Sequence, residues 1–365
     1  MKKVAVGVIG CGNISTVYLE NMTKVFDILE VKAVVDIDRA RAQQAADHYG
    51  IPVVYDSVEQ MLADRNIEII LNITTPPYHG GICLAALEAG KNVYVEKPLA
   101  ITRDEGLMIK QLAEKKGLLA GGAPDTFLGG GIQTCRKLID DGWIGEPVAY
   151  TAFMMCHGHE GWHPDPEFYY KAGGGPMFDM GPYYLTALIN LMGPVESVAS
   201  ATRITFPTRT ITSEKKYGNI IDVKVPTHVA GLINFKGGAI GTIITSFDVW
   251  AAQLPRIEIY GSIGTLSVPD PNTFGGPVRY YSSDLKEWRE VPLRYEYTGN
   301  SRGIGVADMA FALRNGRNPR ADIDLTFHVL DIMHAFHNAS NEGVVYKLDS
   351  TCVKPTPMMV GLLRE

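Results

Sequence analysis

Val4-Ala5-Val6-Gly7-Val8-Ile9-Gly10-Cys11-Gly12-Asn13-Ile14-Ser15 decides the fold. Six residues without a polar side chain run into two glycines one residue apart and then into a helix-like stretch, 14–25. A strand apolar on both faces belongs in a sheet covered by helices on both sides. A glycine turn from such a strand into a helix lets the backbone approach a pyrophosphate, which the first helical amides and the helix dipole then hold. Ser15 stands where the usual Gly-x-Gly-x-x-Gly pattern has its third glycine, and it is nearly as small.

The rhythm continues outward. Apolar runs at 31–35, 52–55, 67–73, 92–95 and 118–123 alternate with helix-like segments at 39–49, 57–63, 79–89 and 104–116, several closed by a glycine (Gly50, Gly90, Gly117) suited to a left-handed cap. Residues 1–122 therefore read as an α/β domain, a Rossmann doubly wound parallel sheet. Asp36, ending the second run, is placed to accept hydrogen bonds from the adenosine ribose hydroxyls and to repel a 2′-phosphate, which favours NAD; Arg39 could still accommodate NADP. Thr74-Thr75-Pro76-Pro77-Tyr78-His79 leads from the fourth run into a helix, at an edge where a loop touches the cofactor. A capped turn explains most of the same residue types. Glu96-Lys97-Pro98 follows the fifth run and delivers a lysine to where the nicotinamide would lie. The cofactor set is thus Gly10, Gly12, Asn13, Ile14, Asp36, Arg39, Thr74, Thr75, Pro76, His79, Glu96 and Lys97.

After residue 123 the grammar changes. One helix-like segment (131–141), a glycine-rich loop, a helix from Pro182 and a β-rich stretch at 195–291 predict a second, α+β domain over 123–365, built on a largely antiparallel open sheet. The polar, basic segment 206–224 reads as an extended hairpin or mobile loop. Residues 306–314 and 325–341 read as helices, and the tail from 344 as a last strand with irregular structure. Gly231, Ile233, Ile240, Thr242 and Ile244 give the second sheet too few charges for an exposed face, which predicts self-association.

The bulk numbers narrow the functions. A net charge of −6 with pI near 5.9 leaves no electrostatic footprint for nucleic acid. No run approaches the ~18 apolar residues of a membrane span, and the apolar start breaks at Gly10 too soon for an export signal. Five scattered cysteines without a CxxC spacing read as reduced thiols of a cytoplasmic protein.

With Gly10-Cys11-Gly12-Asn13-Ile14, Asp36, Thr74-Thr75-Pro76-Pro77 with His79, Glu96-Lys97-Pro98 and Gly173-Gly174-Gly175-Pro176-Met177-Phe178-Asp179-Met180-Gly181-Pro182-Tyr183 in order, the chain resembles the Gfo/Idh/MocA family of glucose–fructose oxidoreductase and inositol dehydrogenase relatives. The resemblance implies NAD or NADP, an open antiparallel sheet used for oligomerisation into a homodimer or homotetramer, and redox chemistry at a sugar, glycoside or cyclitol hydroxyl. It also implies that Lys97 lies beside the nicotinamide while Asp179 and Tyr183 face the substrate. Many relatives carry histidine where this chain has Tyr183; some look similar to it in carrying tyrosine.

Hydride removal from a C–H needs a base for the hydroxyl proton, and a phenol, with a reference pKa of about 10, needs a cation beside it to serve. The helix from Pro182 carries an apolar stripe at Leu185, Leu188, Ile189 and Met192, with Tyr183 roughly opposite. We read Tyr183 as proton carrier, Lys97 as its electrostatic partner and Asp179 as orienter of substrate hydroxyls. A lysine with a pKa lowered by burial, and an aspartate that merely caps the helix, are the alternatives. In His157-Gly158-His159-Glu160-Gly161-Trp162-His163-Pro164 three histidines raise zinc, but without a further ligand pattern we read substrate contact and no metal: Trp162 as a flat face for a pyranose and His163 as a hydrogen-bond donor or acceptor. Asp125 and Tyr169 are further pocket candidates. A competing activity is an NAD-dependent glycoside hydrolase that oxidises its substrate transiently and eliminates the aglycone.

Overall fold

The computed structural model describes residues 1–361 and 363. Strands β1 (Val4–Ile9), β2 (Leu29–Val35), β3 (Val53–Val54), β4 (Ile69–Asn72), β5 (Asn92–Val95) and β6 (Ala120–Gly122) form a parallel sheet in the order β3-β2-β1-β4-β5-β6. Helices α1 (Ser15–Lys24), α2 (Arg39–Tyr49), α3 (Val58–Ala63), α4 (His79–Glu88) and α5 (Arg103–Lys116) connect them. Every residue of β1, β4 and β5 is buried, as covering on both faces demands. Local chemistry sets the helix ends: Asp38 caps α2, Ser57 caps α3, and Thr102 with Glu105 forms a capping box on α5, while Gly50 and Gly117 close α2 and α5 in the left-handed region. The strand order reverses between β1 and β4, so their carboxyl ends part and open a crevice.

The second sheet takes its strands from far apart in sequence. They are β7 (Pro147–Met155), β8 (Val195–Arg203), β11 (His228–Phe235), β12 (Ile240–Ser246), β13 (Ile257–Gly261), β14 (Gly264–Val268), β15 (Val278–Ser282), β16 (Trp288–Val291) and β17 (Tyr346–Lys347). Between β8 and β11, β9 (Thr208–Thr210) and β10 (Ile220–Asp222) make the hairpin expected within 206–224. The order is β16-β15-β14-β13-β7-β12-β11-β8-β17, antiparallel throughout except for β7 beside β12. The central strand β7 lies in what the sequence reading treated as loop. Its buried residues do alternate (Tyr150, Ala152, Met154), but its partners β12 and β13 come long after it, so no hairpin turn flags it.

Helices α6 (Gly130–Asp140), α7 (Gly175–Asp179), α8 (Gly181–Met192), α9 (Ile304–Asn315) and α10 (Ile323–Glu342) complete the fold. Among them α10 packs on β8 and also on α5 and β6, and α9 packs on β5, so the last two helices brace the first sheet as well as the second. The apolar stripe expected on the helix from Pro182 does not stand out, because α8 is buried on every side from Gly181 to Leu191. Tyr183 is therefore packed inside the protein. On the second sheet, Ile233 and Gly231 turn inward, Gly231 against Phe336, whereas Leu232, Ile240, Thr242, Ile244 and Phe153 remain on the uncovered face. No helix among the described residues is long and apolar enough to cross a membrane.

Asp125, expected in the pocket, does a different task. Its Oδ2 accepts hydrogen bonds from the amides of Gly303 (2.8 Å) and Gly305 (3.1 Å) at the start of α9. Burial pushes its carboxyl up from 3.8 to about 6, against the lowering pull of those amides and Arg302. A folded-state value above the ordinary one means that this group's contribution to stability is complete below about pH 4 and is lost as pH rises through 6. Asp125→Asn keeps an oxygen for the amides without the charge, so by thermal melting it should equal or exceed the wild type near pH 7 and lose that advantage near pH 4. Asp125→Ala leaves the amides unmet and should lose about 1–3 kcal/mol. An Asn variant melting well below the wild type at neutral pH would show that the charge itself is needed.

Candidate active site

A cleft of about 450 Å³ occupies the crevice between β1 and β4, lined among others by Gly10, Gly12, Asp36, Ser57, Thr74 and Thr75. The two glycines differ in task. Gly10 has φ +102°, and a Cβ there would lie 2.9 Å from the Ile73 carbonyl oxygen, so the fold itself demands glycine. A Cβ on Gly12 would meet no protein atom within 4 Å, and Gly12 lines the open cleft. Ser15 closes the turn by donating its hydroxyl to the Gly12 carbonyl at 2.7 Å, with Asn13 exposed and Ile14 half-buried in the turn. These residues fit a dinucleotide: an open backbone cradle at the start of α1, followed by a carboxylate at the end of β2.

That carboxylate, Asp36, accepts from the Cys11 amide at 2.7 Å and from the Asp38 amide at 2.8 Å, which fixes it against the cleft wall. Arg39 does not line the cleft itself but forms an ion pair with Asp56 of its wall. The cation that lines the cleft is Arg41, 3.9 Å from Asp36 and 3.6 Å from Asp38. At about 100° per residue, two positions along α2 turn the side chain to the opposite side of the helix, and that side brings the Arg41 guanidinium to the cleft. Thr74 and Thr75 line the cleft, and Pro76 begins the short helical turn behind them.

Two expected cofactor ligands hold the frame instead. His79 is fully buried, with Nδ1 2.7 Å from the Pro98 carbonyl oxygen and Nε2 3.0 Å from that of Thr74, so its ring clamps the two cofactor-edge loops together. Glu96 accepts from the Tyr18 hydroxyl at 2.8 Å and from the Lys97 amide at 2.9 Å, tying the end of β5 to α1.

Lys97 projects from this frame toward the second domain. Its Nζ donates to Asp179 Oδ1 at 2.7 Å and to the Asp179 carbonyl at 2.9 Å. The other carboxylate oxygen of Asp179 lies 3.3 Å from His159 Nε2. Asp179 ends α7, and no side chain caps α8, so the capping alternative does not hold. The Lys97 ammonium stands 5.3 Å over the Tyr183 ring, and the Arg302 guanidinium sits beside the Tyr183 hydroxyl.

The electrostatics follow from burial. Burial alone would push the Lys97 ammonium down, but Asp179, with Tyr183 and Glu96, more than offsets this and holds it well above the ordinary lysine value. Burial opposes ionisation of Asp179, and the charge of Lys97 with the hydrogen bond from His159 overcomes it, keeping the carboxyl well below its usual range. Tyr183 is raised by burial, with Lys97 and Arg302 pulling the other way. The carboxylate beside it thus shifts Lys97 upward, the opposite direction from a lysine whose pKa burial lowers.

His159 and Arg302 were missed. The sequence signal for His159 was present, two residues beyond His157, but pointed to metal; Arg302 has none, since only the fold brings its loop to Tyr183. The three histidines share no centre: His157 stacks on Trp250 (3.4 Å, 14°), His159 pairs with Asp179, and His163 Nδ1 accepts from the Asp165 amide at 3.0 Å. Among the described residues, no three His, Cys, Asp or Glu side chains are grouped to hold a metal. Tyr169 stacks on His159 at 3.8 Å, and the exposed Trp162 tilts against His159 at 5.3 Å, so Trp162, His163 and Tyr169 cluster about the histidine that pairs with Asp179, and Asp125 is not among them.

Residues 4–121 match the oxidoreductase family with an NAD-binding Rossmann fold of Gfo/Idh/MocA type, and 132–267 match the GFO/IDH/MocA C-terminal domain. The chain belongs to the Gfo/Idh/MocA family. It is similar to myo-inositol 2-dehydrogenase of Thermotoga maritima (26% identical over 263 residues, 72% of this chain and 74% of the relative). It is also similar to D-xylose 1-dehydrogenase (NADP(+)) 2 of Haloferax volcanii (24% over 324 residues, 88% and 92%) and to scyllo-inositol 2-dehydrogenase (NAD(+)) of Bacillus subtilis (23% over 355 residues, 95% and 97%). Among solved structures, levoglucosan dehydrogenase in complex with NADH and L-sorbose matches with TM-score 0.83 at 20% identity, covering 96% of this chain and 100% of that one. An NAD binding oxidoreductase from Klebsiella pneumoniae matches equally, TM-score 0.83 at 19% identity over 95% and 99%. These structural likenesses carry the two-part fold, and family membership makes the chain an NAD(P)-dependent oxidoreductase.

The two glycines separate fold from ligand. Gly12→Val should melt within a few degrees of the wild type and weaken NAD binding at least about tenfold in a fluorescence titration. Gly10→Val should be strongly destabilised, since it must shift the Ile73 carbonyl and strain a positive φ. Unchanged NAD affinity in Gly12→Val would place the pyrophosphate elsewhere.

Proposed function

We propose that this chain is a dehydrogenase acting on a secondary hydroxyl of a sugar, glycoside or cyclitol, with NAD preferred over NADP. The observation that carries it is the Lys97–Asp179 pair (2.7 Å), backed by His159 and set at the sheet edge that bears the cofactor cleft. Relatives named as inositol and xylose dehydrogenases support the substrate class, and none of those reported is named a hydrolase, so net redox chemistry is favoured over transient oxidation with elimination. Five unpaired thiols suit a reducing, cytoplasmic setting.

Bound nicotinamide supplies the hydride acceptor. Lys97, held protonated by Asp179, donates a hydrogen bond to the reacting hydroxyl and anchors it. Asp179 accepts from a neighbouring hydroxyl, its second oxygen kept in register by His159. Tyr183, as the phenolate that the positive charges of Lys97 and Arg302 stabilise, takes the hydroxyl proton and becomes the neutral phenol. Trp162, His163 and Tyr169 border the substrate. For the cofactor, Asp36 disfavours a 2′-phosphate, with Arg41 as the cation that limits the discrimination.

We also infer that the chain pairs with itself through the uncovered face of the second sheet, as a homodimer or homotetramer, because Leu232, Ile240, Ile244 and Phe153 leave that face apolar. Sedimentation at micromolar concentration should give a dimer or larger species, and Leu232→Glu should shift it toward monomer; a monomeric wild type refutes the pairing.

A panel of monosaccharides, glycosides and inositols, read as absorbance of the reduced nicotinamide, tests the activity. NADH should accumulate, faster than NADPH, and Asp36→Ala should narrow that gap; aglycone release without NADH, or no turnover on any member, overturns the reading. Burial raises Tyr183, so its phenolate forms more readily as pH rises, and oxidation should climb through the alkaline range. Tyr183→Phe should lower the turnover number at least about a hundredfold and flatten that climb while leaving NAD affinity within about twofold. An unchanged pH profile would move the proton to His159, because Lys97 is already committed as an ammonium.

A further inference from the structure

The loop 157–163 has two sides. His159 turns to Asp179, while His157, Glu160 and Trp162 line a separate cleft of about 520 Å³, closed on its far side by the β9–β10 hairpin and by Trp250. Lys97, Asp179 and Tyr183 do not line this cleft. Trp162 borders both spaces, since it also tilts against His159 at 5.3 Å.

Three observations describe what the cleft fits. Its walls are aromatic and unusually open: Trp250 is 83% exposed, Trp162 64% and Phe206 44%. Trp250 is nonetheless held in place, stacked on His157 at 3.4 Å, so a rigid indole face is presented at the cost of leaving apolar area in water. Beside these rings β9 and the residues after it set a row of hydroxyls. The strand period of two turns Thr208, Thr210 and Thr212 outward along the cleft, while Ile211 is buried away from it and Arg209 lies buried beneath it. The floor is prebuilt: Arg209, 5% exposed, pairs with Glu160 at 2.9 Å and with Asp248, and donates to the Phe247 carbonyl at 2.9 Å, while Glu160 also takes the Tyr170 hydroxyl.

Two carboxylates against one guanidinium leave that floor with no surplus positive charge, which argues against a phosphate or carboxylate ligand. Rigid aromatic faces beside a row of hydroxyls complement a molecule with C–H faces and equatorial hydroxyls, and the volume falls in the range of small-molecule sites, roughly 300–1,000 Å³. We propose that this cleft is a second sugar-ring subsite. The substrate is then a glycoside or disaccharide whose reacting ring lies by Lys97 and whose other ring passes Trp162 to rest against Trp250. The proposal rests on the carbohydrate-dehydrogenase reading and makes it specific.

The test compares matched pairs, a free monosaccharide and disaccharides containing it, by kcat/KM with NAD. In the wild type the preferred disaccharide should exceed its monosaccharide by about tenfold or more, and Trp250→Ala and Thr210→Val should each shrink that ratio, the tryptophan change by about tenfold. Equal kcat/KM values for the two substrates, or a Trp250→Ala effect that scales both alike, overturns the subsite. Trp250→Ala that changes sedimentation and leaves the ratio untouched does so too, and assigns the cleft to contact between copies. If no carbohydrate is oxidised, the dehydrogenase reading falls by itself, and intrinsic tryptophan fluorescence titrated with the same disaccharides decides the cleft. A saturable change that Trp250→Ala abolishes sustains the subsite, and its absence in the wild type ends it.

Discussion

Lys97, just past β5, and Asp179, at the end of α7, meet at 2.7 Å with little solvent access. Desolvating two ions is expensive, and their attraction repays it only when the geometry is held and the remaining lone pairs are met. Much of the surrounding structure serves that condition. Glu96 ties the lysine's backbone to α1, His79 clamps the loop after it to the loop after β4, and His159 meets the second oxygen of Asp179. Loss of either ion strands the other, so the pair ties the end of β5 to the end of α7.

In the proposed reaction the pair also decides which group moves the proton. An ammonium stabilised by an adjacent carboxylate is a poor base, and a carboxylate stabilised by an ammonium and a histidine is a poorer one. Only a group in contact with positive charge, yet outside this pair, gains from ionising. Tyr183 fits, lying under Lys97 and beside Arg302. A tyrosine at this helix position is therefore sustained by two cations, one legible in the sequence and one supplied by a distant loop.

What was legible follows physical range. The strand–glycine–helix unit at 4–25, the parallel rhythm after it and the Glu-Lys-Pro turn are local patterns, and the elements lie where those patterns put them. Strand β7 was hidden because its partners are remote, and the direction of Arg41 over Arg39 depends on how α2 sits on β2. Residue type identified His79 and Glu96 as belonging to the cofactor edge, but not that each faces inward to carbonyls or to Tyr18. Motif chemistry cannot separate a group that touches ligand from one that holds the group that does, since both are polar and both sit beside the glycines.

Asp125 makes the same point in the opposite direction. Read as a pocket residue, it is buried behind the pocket, accepting the Gly303 and Gly305 amides. The residue between the pocket and that anchor is Arg302, whose carbonyl, with that of Asn300, accepts from the Asn21 side chain on α1, and whose guanidinium donates to Asn272 and Asn300. A loop carrying a cation into a buried site must be fixed on both sides, or the charge withdraws to water. Asp125, holding the amides at the start of α9, and Asn21 on α1 supply those two fixings, so a buried aspartate helps to hold the cation beside the Tyr183 hydroxyl.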